Sequence, residues 1–156
     1  METELRIVGV DPGGTTGVAV VTWDRVTYKY RLGFTSASTL GPADVADSVN
    51  GLAPDAVAVE QFVVGRRSAR SKSARAGEQA RNIVGALVAA FPALYRHTAH
   101  DVKLWATDER LKAAGLYRAG SGPHIRDATR HALFTLRKHY RAPDPLSAGY
   151  APYRED

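Results

Sequence analysis

In Leu5-Arg6-Ile7-Val8-Gly9-Val10-Asp11-Pro12-Gly13-Gly14-Thr15-Thr16-Gly17-Val18-Ala19-Val20-Val21, two apolar runs flank a glycine-rich turn. The first run, Leu5 to Val10, and the second, Gly17 to Trp23, are short and rich in β-branched residues, so they predict two strands joined tightly. Asp11 stands where the first strand ends. An acid at that place projects into the crevice outside the sheet, and the glycines let a phosphate backbone come close. Asp-Pro-Gly is also a common hairpin device, so this segment taken alone is compatible with a plain turn.

Working outward, Val26 to Phe34 predicts a third, alternating strand, and Pro42 to Leu52 has the spacing of a helix. After Pro54, Ala56 to Val59 is an apolar run without polar alternation, as in a central strand covered on both faces. It ends on Glu60. Within Ser73 to Phe91, the residues Ala80, Ile83, Val84, Leu87, Val88 and Phe91 mark one apolar helical face. Leu94 to Thr98 predicts a fifth strand, Val102 to Ala114 a helix, Gly115 to Pro123 a loop, and His124 to about Tyr140 a last helix. Three antiparallel strands followed by alternating helices and strands describe a five-stranded mixed α/β sheet flanked by helices. The expected organisation is one domain over residues 1–141 with a loosely ordered tail over 142–156, which has three prolines and no apolar period.

Two further acids stand out. In Val57-Ala58-Val59-Glu60-Gln61 a strand closes on a glutamate that turn chemistry does not require, and an ionised carboxylate there needs an arginine or a cation to answer it. In Pro123-His124-Ile125-Arg126-Asp127-Ala128-Thr129, His124 and Asp127 lie at i and i+3 on one helix face. The helix macrodipole accounts for an acid near a helix start but not for its pairing with a histidine.

The chain has 156 residues, no cysteine, and a formal net charge of +5 carried by 16 Arg and 5 Lys against 16 acids. The absence of cysteine removes disulfides, thiolate metal sites and cysteine nucleophiles. No apolar stretch approaches the roughly 20 residues needed to cross a bilayer, and no secretory leader is evident, so a cytoplasmic location without membrane attachment is expected. Arginine grips phosphate through a planar, permanently charged fork, so this balance favours a nucleic-acid backbone as partner.

Taken together, the first-strand D-P-G at Asp11, the V-A-V-E-Q closing on Glu60 and the H-x-x-D of His124 and Asp127 resemble the RuvC family of Holliday junction resolvases, across nearly the whole chain. The resemblance implies a ribonuclease H-like fold and a structure-selective endonuclease that nicks branched DNA, leaving 5′ phosphate and 3′ hydroxyl ends. It implies Asp11, Glu60, His124 and Asp127 as catalytic, metal-binding residues. Elementary electrostatics points the same way, because three carboxylates converging without cations repel and raise one another's pKa values. Oxygen-rich ligand sets suit Mg²⁺ or Mn²⁺, with two ions per site expected for a phosphodiester.

Between Gly65 and Arg81, Arg66, Arg67, Arg70, Lys72, Arg75 and Arg81 face the single acid Glu78. Such a patch suits DNA phosphates, with a solvated loop as the bland alternative. The resembled family carries an inserting aromatic residue after V-x-E-Q; Phe62 is the nearest candidate here, with core packing as its rival. Lys103, in Val102-Lys103, matches the family's substrate-facing lysine, and either Arg110 or Lys112 stands for a second basic residue. Trp105 fits a core anchor better than a base-stacking platform. In the family the helix at Ala74 to Phe91 forms a dimer interface; Gly77, Gly85, Ala86 and Ala89 permit such an approach, and packing on the sheet explains the apolar face equally well. A four-way junction has approximate two-fold symmetry, which a homodimer matches. Rivals are a YqgF-like RNA-processing nuclease and a non-catalytic nucleic-acid-binding protein of the same fold. A sugar-kinase-like ATPase shares the D-x-G-G-T opening but needs two domains to enclose its nucleotide, so no nucleotide cofactor is expected.

Overall fold

The computed structural model describes residues 2–61, 74–117, 122–147 and 153–154. Strands β1 (Glu4–Asp11), β2 (Thr16–Asp24) and β3 (Tyr30–Ser38) form an antiparallel meander, followed by helix α1 (Pro42–Gly51), strand β4 (Ala56–Glu60), helix α2 (Ala74–Ala90) and strand β5 (Leu94–His97). Helices α3 (Ala99–Trp105), α4 (Asp108–Ala113) and α5 (Gly122–His139) complete the body. β4 joins β1 in parallel and β5 joins β4 in parallel, so the expected five-stranded mixed sheet forms. A two-residue strand, β6 (Tyr153–Arg154), extends it beside β3, in the order β5-β4-β1-β2-β3-β6.

Side-chain alternation sorts the strands into two cores. Val8 and Val10 of β1, Val18 and Val20 of β2, and Val57 and Val59 of β4 pack with Val45 and Val49 of α1 and Ile83 and Leu87 of α2. Leu5, Ile7, Ala19, Val21, Ala56 and Ala58 face the other way, against Leu111 of α4 and Ala128, Ala132, Leu133 and Leu136 of α5. The apolar face of α2 is thus used at least in part within the chain, whereas Val88 on the same helix is 46% exposed. Among the described residues, no helix is long and apolar enough to cross a membrane.

Three sequence expectations are corrected. The third strand starts at Tyr30 and not at Val26, because the Asp24 carboxylate accepts hydrogen bonds from the amides of Val26 (2.8 Å) and Thr27 (3.1 Å) and closes a turn that takes Tyr28 to φ 58°. The helix expected over Val102 to Ala114 is two helices. Thr107 accepts a hydrogen bond from the Arg110 amide at 3.2 Å, which makes it the N-cap of α4 and ends α3 before it. The core also continues past residue 141: Ala142 and Leu146 are buried, the Tyr30 hydroxyl donates to the Pro143 carbonyl, and Arg110 pairs with Asp144 at 2.7 Å. Residues 142–147 therefore belong to the packed body.

Candidate active site

Strand parity brings the first two acids together. Along β1 the α5-facing positions run Leu5, Ile7, Gly9, Asp11, and along β4 they run Ala56, Ala58, Glu60. The parallel register pairs Ile7 with Ala56 and Val10 with Val59, so Asp11 and Glu60 close neighbouring strands on the same face and at the same end.

Helix α5 then reaches them because two glycines leave room for it. A Cβ on Gly9 would sit 1.9 Å from the Ala128 carbonyl oxygen, and one on Gly17 would sit 2.2 Å from that of His124. Neither distance is compatible with a side chain, so the first turns of α5 lie directly on the backbones of β1 and β2. This close approach lets His124 donate from Nδ1 to Asp11 Oδ2 at 3.0 Å.

Asp127, one turn further along α5, is held by cations. Arg130 is only 5% exposed and donates from Nη1 to Asp127 Oδ1 at 2.7 Å, from Nη2 to Asp108, and from Nε to the Ala106 carbonyl at 2.8 Å. All three edges of the guanidinium are occupied, which is what its burial requires. Lys103 Nζ lies 3.5 Å from Asp127 Oδ2. Arg130 was not among the residues singled out from sequence; its i+3 spacing from Asp127 was the only signal, and its other partners lie 22 and 24 positions away.

The carboxylates perturb each other. Burial raises the Asp11 pKa most, the hydrogen bond with Glu60 pulls it back, and the smaller effects of the Asp127 charge, upward, and of Lys103, downward, leave it at about 6. Glu60 is pushed up to about 8 by burial, by its hydrogen bond to Asp11 and by the negative charges of Asp11 and Asp127. Glu60 therefore holds a proton at neutral pH and donates it to Asp11 in a hydrogen bond. Acids driven this far from their ordinary range beside one another mark a functional site more often than a structural one.

The donor chemistry, carboxylate oxygens with one imidazole nitrogen, fits a hard divalent cation at Asp11 and Glu60, where positive charge would relieve the repulsion. Among the described residues, however, no three His, Asp or Glu side chains are placed as a group that could hold an ion. Asp11 is hydrogen-bonded to both Glu60 and His124, whereas Asp127 is held by Lys103 and Arg130. Asp127 would have to exchange its contact with Lys103 for a metal, while Arg130 holds the other carboxylate oxygen.

The remaining expected site residues are distributed unevenly. Arg66, Arg67, Arg70, Lys72 and Phe62 lie outside the described residues, and Arg75, at the start of α2, is exposed. Arg110 is engaged with Asp144 and with the Trp105 carbonyl at 3.0 Å, tying the α3–α4 turn to residue 144. Lys112 Nζ lies 4.7 Å from the centre of the Tyr117 ring. Trp105 packs edge-on against Phe134 at 5.7 Å, at the margin of the core under α5.

No protein-family model matches the chain, and no curated protein matches it in sequence. Solved structures do match. RuvC of T. thermophilus in complex with a Holliday junction substrate superposes with a TM-score of 0.64 at 22% identity, covering 95% of this chain and 98% of that one. Another structure of Thermus thermophilus RuvC gives 0.60 at 22% identity over 88% and 98%. The Fowlpox virus resolvase, solved with its Holliday junction DNA, gives 0.55 at 16% identity over 86% and 99%. Over nearly its whole length, the chain thus has the ribonuclease H-like fold of these resolvases, a mixed sheet of five main strands flanked by helices.

Proposed function

We propose that this chain is a divalent-cation-dependent endonuclease that nicks Holliday junctions or related branched DNA, leaving 5′ phosphate and 3′ hydroxyl ends. The observation that carries the reading is the meeting of Asp11, Glu60, His124 and Asp127 at one end of the sheet, beside Lys103. The fold supports it, since similar structures were solved with junction DNA.

Bound Mg²⁺ or Mn²⁺, two ions per site, would supply Lewis-acid activation of water and stabilisation of the departing 3′ oxygen. The chain's own groups define the rest. Asp11 would hold the cation, its carboxylate oriented by the contact with His124 Nδ1. Glu60, as a carboxylate, would be a second anionic ligand for such an ion. Arg130 fixes the Asp127 carboxylate from one side, so that Asp127 can release Lys103 without losing its orientation. Lys103, thus freed, would meet the non-bridging oxygens of the scissile phosphate.

Two opposed nicks call for a two-fold dimer. The side of α2 carrying Val84, Gly85 and the half-exposed Val88 borders an open groove of about 340 Å³ with Gln61, Arg81 and Arg96, and supports that assembly. The direct test is cleavage of a labelled immobile four-way junction against duplex, flap and single strand, with Mg²⁺, Mn²⁺ or EDTA. Paired, metal-dependent nicks near the crossover are expected, and Asp11→Asn should bind the junction without cutting it. A variant that still cuts would remove Asp11 from the chemistry, and cutting confined to RNA would replace the substrate.

A further inference from the structure

Beside the carboxylates, a groove of about 410 Å³ runs from Lys103 and Asp127 past Thr107 and Pro123 to Tyr117 and Arg126. That is within the roughly 300–1,000 Å³ range of ligand clefts. Its cations differ in kind. Arg130 and Lys103 are committed to Asp127, and Arg130 to Asp108 as well. Arg126 has no carboxylate partner among the described residues. Its guanidinium carbon instead lies 4.3 Å from the centre of the Tyr117 ring. Lys112, likewise without an acid partner among them, approaches the same ring at 4.7 Å. Two cations therefore lie against one aromatic ring, and of the acids lining the groove Asp108 and Asp127 have cation partners, while Glu109 has none among the described residues.

The arrangement presents positive charge that an anion entering the groove would meet. Like charges held on one ring repel, and the cation–π attraction of each, about 0.5–1 kcal/mol where exposed, does not neutralise the other. Stacking uses the flat face of the guanidinium and leaves its edge N–H donors free in the geometry that forks onto a phosphate. Arg126 also stands between His124 and Asp127 in sequence, on the same first turns of α5 that Gly9 and Gly17 press against the sheet. Its distance from the reacting centre is therefore set by the same backbone contact that sets the catalytic acids.

We infer that Arg126, stacked on Tyr117 and supported by Lys112, forms a subsite for a single phosphodiester of the DNA strand, next to but distinct from the scissile one. The inference rests on the nuclease reading above and names how that site holds the strand running away from the cut. Tyr117 is a positioning residue in this arrangement. Its ring keeps the guanidinium in plane, and its hydroxyl is dispensable.

The test is binding of an immobile four-way junction in EDTA over a salt series, for wild type, Arg126→Ala, Arg126→Lys, Tyr117→Phe and Tyr117→Leu, each checked for an unchanged melting transition. Arg126→Ala should weaken binding about tenfold and lower the salt slope by about 0.9. Tyr117→Phe should match wild type, and Tyr117→Leu and Arg126→Lys should fall between. Junctions carrying one uncharged methylphosphonate, scanned over the linkages on both sides of the cut, should include one position that erases the difference between wild type and Arg126→Ala. An unchanged salt slope in Arg126→Ala, or a difference that survives at every scanned position, overturns the subsite while leaving the nuclease reading intact. Wild-type protein that neither binds nor cuts branched DNA overturns both.

Discussion

Replacing Asp11 by Asn should stabilise the metal-free protein at the pH where the wild-type active site is most strained. Asp11 has a side chain only 8% exposed and its pKa is raised from 3.8 to about 6, so little solvent screening discounts the effect. At 1.36 kcal/mol per pH unit, the ionised carboxylate costs about 3 kcal/mol above pH 6 relative to its protonated form. The folded state holds this proton more tightly than the unfolded chain. The favourable contribution is therefore complete below pH 3.8 and is lost as pH rises through about 6. Asparagine keeps an acceptor for the His124 Nδ1 proton but makes the hydrogen bond a neutral one, which takes back about 1 kcal/mol. The net gain at pH 8 is about 1–2 kcal/mol, or about 2–8 °C in Tm for a chain of this size. Glu60 shares a proton with Asp11, so the substitution also removes a cause of its raised pKa and spreads the effect toward pH 8.

The assay is urea unfolding in EDTA at pH 4, 5, 6, 7 and 8. The quantity to follow is the stability difference between variant and wild type, because titrating groups remote from Asp11 cancel in it and only Glu60 adds to the Asp11 effect. It should grow by about 3 kcal/mol between acid and alkaline limits. Saturating Mg²⁺ should then raise the wild-type midpoint and leave the variant's nearly unchanged. A pH-independent difference, or a variant less stable than wild type at pH 8, would refute the claim that burial and neighbouring charge strain this acid.

His131 is buried with no hydrogen-bond partner for Nδ1 among the described residues, and burial lowers its pKa from 6.5 to about 4. Its contribution is present above pH 6.5 and is lost as pH falls through about 4; His131→Leu should abolish an acid lability of up to about 3 kcal/mol, read from the same urea series at pH 7 and 4. Arg130→Met leaves Asp108 without its cation and Asp127 with Lys103 alone; with Asp108 half exposed, a loss of about 2 kcal/mol is expected by thermal melting, together with a fall in kcat at unchanged junction affinity. Retained cleavage in that variant would show that Asp127 needs no positioning. Gly17→Ala places a methyl 2.2 Å from the His124 carbonyl oxygen, so α5 must move off the sheet; about 2–3 kcal/mol of stability and most of the cleavage should go together, and a folded variant with full activity would contradict the close-approach argument.

Several features were legible because they are local. A strand that ends on an acid shows in a few residues, so Asp11 and Glu60 are visible at once, and periodicity alone announces α2 and α5. The boundary of β3 and the split between α3 and α4 were misread because single side chains, Asp24 and Thr107, captured backbone amides that the hydropathy pattern had assigned to regular structure. The tail looked unstructured because Ala142 and Leu146 bear no period of their own; they find a core only by landing on one built from distant strands.

The choice between Arg110 and Lys112 was likewise undecidable from spacing. Asp144, 34 positions away, engages Arg110, and nothing near in sequence announces that pairing. The sequence by itself determined which acids end strands, which helices have an apolar face, and that the chain is cationic, since each follows from neighbours a few residues apart. Only the tertiary structure decided that Gly9 and Gly17 admit α5, that Asp11 and Glu60 come within hydrogen-bonding reach while Arg130 restrains Asp127, and that Arg126 rests on Tyr117. Those relations depend on strand register and on backbone approach of about an ångström, and charge interactions change steeply over just such distances.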